Sequence, residues 1–113
     1  MTRDWRAAAM SEVQLQDAVL ACARLLGYRA HHAWLSLHSA AGYPDATLVR
    51  MAPYAPRLIF AEFKRERSLP TMEQLCWLTD LGRVAGIEVF LWRPSQWISG
   101  EIERILRGEE ELA

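Results

Sequence analysis

The chain has 113 residues, 51% of them hydrophobic and 24% charged, with a formal net charge of −1. That length supports one domain, and that apolar fraction supports a buried core and excludes wholesale disorder. The longest run without Asp, Glu, Lys or Arg is Ala30–Pro44, 15 residues holding three His, two Ser, a Gly and a Pro. It is too short and too polar to span a bilayer, so no membrane partner is expected.

The charge has two further features. The acidic tail, residues 109–113 with Glu109, Glu110 and Glu111, lowers a net charge that is +2 over residues 1–108. The 13 basic residues include a single lysine, Lys64. A GC-rich coding bias accounts for the arginines and leaves open what the one lysine does.

Residues 1–10 read as a flexible N-terminal arm without the apolar core of a secretory signal. Ser11 with Gln14 forms a capping box, and Leu15, Ala18, Val19, Cys22, Leu25 and Leu26 follow at helical spacing until Gly27. Tyr28–Trp34 reads as a strand, 35–44 as a loop and Asp45–Met51 as a second strand. Pro53 and Pro56 mark a turn, because proline cannot join a central ladder. Arg57–Lys64 is a third strand, whose continuously apolar Leu58–Ala61 suits a central strand covered on both faces.

Beyond a charged loop, Thr71 with Gln74 opens a second helix whose stripe is Leu75, Leu78, Leu81 and Ala85, ended by Gly86. Ile87–Trp92 is a fourth strand, and after Pro94 a last helix carries Trp97, Ile98, Ile102, Ile105 and Leu106. The order α-β-β-β-α-β-α predicts one small α/β domain, residues 11–108, with a mixed four-stranded sheet flanked by helices. Cys22 and Cys76 each fall on an apolar helix side, which predicts buried free thiols in a reducing compartment.

The hairpin of strands two and three carries the chemistry. A turn centred between Pro53 and Tyr54 pairs residues whose numbers sum to 107, so Asp45 lies opposite Glu62. Lys64, two residues on, shares that face, and Phe63 points to the other. Two carboxylates on adjacent strands make a hard-oxygen site for Mg²⁺ or Mn²⁺, which keeps several waters and takes one or two protein carboxylates plus a phosphate. A neighbouring ammonium stabilises hydroxide or charge developing on phosphorus. Glu12 shares a helix face with Leu15, Val19 and Leu26, which aims it at the sheet; stabilisation of the helix dipole is its other reading.

Gly42-Tyr43-Pro44-Asp45 followed by Glu62-Phe63-Lys64 resembles the PD-(D/E)XK nuclease signature. The wider pattern resembles its virus-type replication–repair (VRR-NUC) branch, with the helical Glu12, Gln74 ahead of Trp77-Leu78, and Gly86 leading to an apolar strand closed by Arg93-Pro94. The resemblance spans roughly residues 11–107 and implies a restriction-endonuclease-like fold.

It implies Asp45, Glu62 and the Phe63 carbonyl as metal ligands, Lys64 as the water-positioning group, Glu12 as an acid beside the metal and Gln74 as an active-site hydrogen-bonding residue. For Gln74 the capping box is an equally good explanation. His38 and Ser39, ahead of Asp45, and Arg65 and Arg67, after Lys64, are candidates for contact with the nucleic-acid backbone; an exposed charged turn with Glu66 also explains the arginines. The implied protein is a Mg²⁺- or Mn²⁺-dependent DNA endonuclease, structure-selective for branched DNA, homodimeric and cytoplasmic in a bacterial or phage-infected cell. No Walker loop is present, so no nucleotide cofactor is expected. A non-catalytic nucleic-acid-binding module and an RNA-directed nuclease are the alternatives.

Overall fold

Five helices surround one sheet among residues 4–33 and 40–108, which a computed structural model describes. The elements are α1 (Trp5–Ala9), α2 (Glu12–Leu25), β1 (Tyr28–His32), β2 (Ala46–Arg50), β3 (Arg57–Phe63), α3 (Met72–Gly82), β4 (Ile87–Trp92), α4 (Pro94–Ile98) and α5 (Glu101–Arg107). The sheet order is β1-β2-β3-β4. The first two pairings are antiparallel, and β3–β4, joined through α3, is parallel. This is a mixed four-stranded α/β domain flanked by helices, as the sequence predicts.

Both expected capping boxes form, Ser11 with Gln14 on α2 and Thr71 with Gln74 on α3. The register of β2 on β3 also follows the prediction, with Ala46 opposite Ala61 and Leu48 opposite Ile59. Ala46, Leu48, Ile59, Ala61 and Phe63 turn one face of the sheet into the core. There they meet Leu15, Val19 and Ala23 of α2, Trp92 of β4, and Ile102 and Leu106 of α5. Truncating a large aliphatic here to alanine costs about 2–5 kcal/mol.

The end of the sheet nearest the β2–β3 turn is fastened by two arginines. Arg57 makes a bidentate pair with Glu88, both contacts 2.7 Å, and its Nη1 donates to the Tyr28 hydroxyl and the Ile105 carbonyl. Arg50 Nη1 and the Tyr28 hydroxyl both donate to the Leu106 carbonyl. The Leu106 carbonyl at the end of α5 is satisfied in this way, and the Ile105 carbonyl also accepts the Gly108 N–H at 3.0 Å.

Four expectations are corrected. Residues 5–9, read as part of a loose arm, form α1, which Asp4 caps and whose Ala7 is buried. The last helix is two, because Gly100 at φ +88° breaks it between α4 and α5. α3 ends at Gly82, not Gly86, and none of its residues is buried. Cys76 on its outer face is therefore exposed, while Cys22 is half-buried and packs against the core, so the expected burial fails for Cys76 and is only partial for Cys22. No helix among the described residues is long and apolar enough to cross a membrane.

Candidate active site

The site lies at the end of the sheet away from the arginine clamp. Asp45 directly precedes the first paired residue of β2, and continuing the register by one step sets it beside Glu62. Its position is fixed by a bond the sequence does not advertise: the Phe63 backbone N–H donates to Asp45 Oδ2 at 2.8 Å. The Phe63 side chain is buried in the core on the opposite face, as expected. The Asp45 carbonyl accepts from Ala33 N–H at 2.8 Å, which extends the β1–β2 pairing by one residue.

Glu62 is only 2% exposed. Gln74 Nε2 donates to its Oε2 at 2.9 Å, and its Oε1 is buried without a hydrogen-bond partner. Burial first, then the neighbouring Asp45 carboxylate, pushes the Glu62 carboxyl up to about 8, and the Lys64 ammonium offsets part of that rise. An orphaned carboxylate oxygen facing a second carboxylate calls for a proton or a cation. The donor set, two carboxylates from adjacent strands, fits a hard divalent ion that retains water. Among the described residues there is no cluster of three or more His, Cys, Asp or Glu side chains placed to hold a metal.

Lys64 is 9% exposed. A lysine at a strand end is ordinarily partly solvated; here it is buried, and its N–H donates to the Trp92 carbonyl at 3.0 Å, which extends the β3–β4 pairing by one residue. Its ammonium lies near enough to Glu62 to favour the ionised carboxylate.

Gln74 acts both as a cap and as a hydrogen-bonding residue of the site. Its Oε1 accepts from Thr71 N–H at 2.8 Å to complete the capping box, while Nε2 holds Glu62. One amide therefore ties the start of α3 to the buried carboxylate. Gly42 makes this approach possible. At φ +81° it lies so close to α3 that a Cβ there would sit 2.5 Å from the Glu73 carbonyl carbon and 2.6 Å from Gln74 N. Next to it, Tyr43 packs edge-on to Trp77 and to Phe60, filling the space between β3 and α3.

Glu12 is half-buried and reaches the group from the α2 side, lining with Asp45, Gln16 and His32 an open cleft of about 450 Å³. Nothing in residue identity or spacing favours His32 over His31 as the histidine near the site. Arg65 and Arg67 are exposed on the loop that follows Lys64. His38 and Ser39 lie outside the described residues. The structure therefore brings together Asp45, Glu62, Lys64 and Gln74, with Glu12 at the margin.

A scan against protein-family models finds no match, and comparisons with curated proteins and with solved structures find none either.

Proposed function

We propose that this chain is a Mg²⁺- or Mn²⁺-dependent DNA endonuclease of the restriction-endonuclease-like fold, similar to the VRR-NUC branch. The observation that carries the reading is the buried Glu62 carboxylate, with an unpartnered oxygen, beside Asp45 and Lys64. A structural carboxylate is rarely left in that state, since an unsatisfied buried acceptor costs about 1–3 kcal/mol.

Asp45 and Glu62 would hold the cation, with the Phe63 carbonyl beside them. The cation supplies positive charge at the scissile phosphate and acidifies water. Gln74 orients Glu62, and the Phe63 amide orients Asp45. Lys64 provides a compact positive charge for the phosphate as negative charge grows on it. Glu12 stands at the rim of the same cleft as an acid for the water network. Arg65 and Arg67 contact the backbone.

Preference for branched DNA and a cytoplasmic setting follow from the resemblance. A homodimer is supported further by the outer face of α3, where Met72, Leu75 and Cys76 are exposed.

The test is a cleavage panel over four-way junction, flap, fork and linear DNA, with a matched RNA junction, in Mg²⁺, Mn²⁺ and EDTA. Metal-dependent cleavage of DNA by the wild type, abolished in Lys64→Ala, is expected. The reading is falsified if every DNA stays intact with either metal. Binding in EDTA without cleavage in metal would identify a non-catalytic module, and cleavage confined to RNA an RNA-directed nuclease.

A further inference from the structure

Beyond Lys64 the chain makes a tight loop whose carbonyls converge on one side chain. Arg93 Nη1 donates to the carbonyl oxygens of Arg65 at 2.8 Å, Glu66 at 3.1 Å and Ser68 at 2.7 Å. A second tie comes from the opposite direction, where Ser95 N–H donates to Glu66 Oε1 at 3.0 Å. Nη1 has two hydrogens, so one is shared between carbonyls, yet the constraint is strong because hydrogen bonds from a charged donor are roughly twice as strong as neutral ones. Nothing in the carboxylate chemistry needs this arrangement.

With the loop's carbonyls turned in on Arg93, the side chains of Arg65 and Arg67 are exposed. Among the described residues neither guanidinium has a carboxylate partner. Arg65 and Arg67 line with Ser68 and Ala8 of α1 a groove of about 360 Å³. A second hollow of about 310 Å³ shares Ala8, Glu66 and Arg67 and continues the groove toward Asp4 and Ser95. Of the two acids in these walls, Asp4 is paired with Arg6, while Glu66 accepts the Ser95 N–H and keeps its charge, so the two arginines outweigh it by one positive charge. The α1 wall is alanine, so it leaves the groove open. The groove therefore presents two planar cations that have no carboxylate partner among the described residues, in a small-walled channel that begins one residue beyond Lys64.

We propose that this groove takes the phosphodiester backbone of the nucleic acid on one side of the carboxylate site, that α1 is its second wall, and that Arg93 is the positioning residue that shapes it. Guanidinium groups match phosphate with paired N–H donors, and backbone contacts of this kind set register without reading sequence. The inference rests on the nuclease reading for which strand the groove receives, and on the geometry alone for its ligand.

The test measures DNA binding in EDTA, as a function of salt, for wild type, Arg93→Met, Arg93→Lys, the pair Arg65→Gln/Arg67→Gln, the triple combination, and Ala8→Glu. The arginine pair and Arg93→Met should each weaken binding about tenfold and flatten the log–log salt slope by up to about two, near one for each phosphate that is no longer neutralised. The triple variant should be no weaker than the double, because Arg93 acts through those two side chains. Arg93→Lys should recover part of the affinity.

Under turnover, Arg93→Met should raise KM and leave kcat at saturating DNA within about twofold, a split that general destabilisation would not produce. Additive losses of affinity, or a lower melting temperature with an unchanged salt slope, would overturn the role of Arg93. Ala8→Glu changes an exposed helical position and should weaken binding even if Arg93→Met fails to fold; unchanged binding there would remove α1 from the groove. If wild type binds but never cleaves, the nuclease reading fails and the groove stands. If wild type cleaves while the arginine pair binds normally, the groove fails and the nuclease reading stands.

Discussion

Glu62→Gln in the metal-free protein should remove a loss of stability that the wild type suffers as pH rises through neutrality. In the folded chain the Glu62 carboxyl is raised to about 8 from an ordinary 4.5, by burial and by Asp45. Between those values the folded state holds a proton that the unfolded chain releases. More protons bound in the folded state mean that stability is complete below about pH 4.5 and is lost as pH rises through about 8. The slope approaches about 1.4 kcal/mol per pH unit for one proton.

From pH 5.5 to 7.5 the wild type should therefore lose about 2–3 kcal/mol relative to Glu62→Gln, which cannot titrate. For a domain of this size that is about 10 °C in Tm. Thermal and urea melts in EDTA across this range, run in parallel on both proteins, provide the assay. Adding Mg²⁺ or Mn²⁺ should restore wild-type stability at high pH, and binding at pH 7 should release about one proton, read by calorimetry in two buffers of different ionisation enthalpy. Parallel stability–pH curves for the two proteins in EDTA would refute this account, because Glu62 would then carry no excess proton.

Four further outcomes are expected. Lys64→Arg should fold and bind metal but cleave poorly, since an enclosed ammonium is replaced by a wider planar cation; a wild-type cleavage rate would make the lone lysine an accident of composition. Gln74→Ala should lose about 1 kcal/mol as a cap and about 1–3 kcal/mol more by unpairing Glu62 Oε2, whereas Gln14→Ala, in a capping box where no bond to a carboxylate accompanies the cap, should lose only the first. Equal melting temperatures for the two variants would leave Gln74 as a cap alone. Asp45→Asn can keep the Phe63 amide bond, so it should fold and bind Mn²⁺ more weakly; unchanged affinity by calorimetry would show that Asp45 is not a ligand. Gly42→Ala should destabilise the protein by more than about 1 kcal/mol, because a Cβ would press on the α3 backbone at a φ that disfavours alanine; an unchanged melting temperature would mean that α3 can move aside.

The register of the central hairpin was legible because two prolines fix the turn and a period of two leaves no freedom beyond it. That single fact located Asp45 against Glu62. Burial of Lys64 was not legible, since a strand-end lysine is ordinarily solvated and residue identity does not show how closely the surrounding chain packs on it. The tie from Phe63 N–H to Asp45 was also hidden, because a backbone donor leaves no mark in residue identity. α1 has no amphipathic stripe to reveal it, because its short alanine-rich run buries only Ala7. The break at Gly100 was masked by apolar spacing that fits one continuous helix across it. Cys76 differs from its expected burial because an apolar stripe is not always a covered one, and α3 keeps its outer side open.

The arginine clamp has a consequence for how the chain reaches this state. Arg57 on the inner strand bonds to Tyr28 on β1, to Glu88 on β4 and to the Ile105 carbonyl on α5, partners 29, 31 and 48 residues distant. Tyr28 in turn bonds to Leu106 across 78 residues. These contacts close only after both edge strands have paired, so they reward the last steps of assembly rather than the first. Once closed, they join the start of the sheet to the final helix, and α5 cannot peel away without breaking bonds that also hold β1 and β4. The two ends of the domain should therefore unfold in a single transition, with amide exchange in α5 as slow as in the central strands.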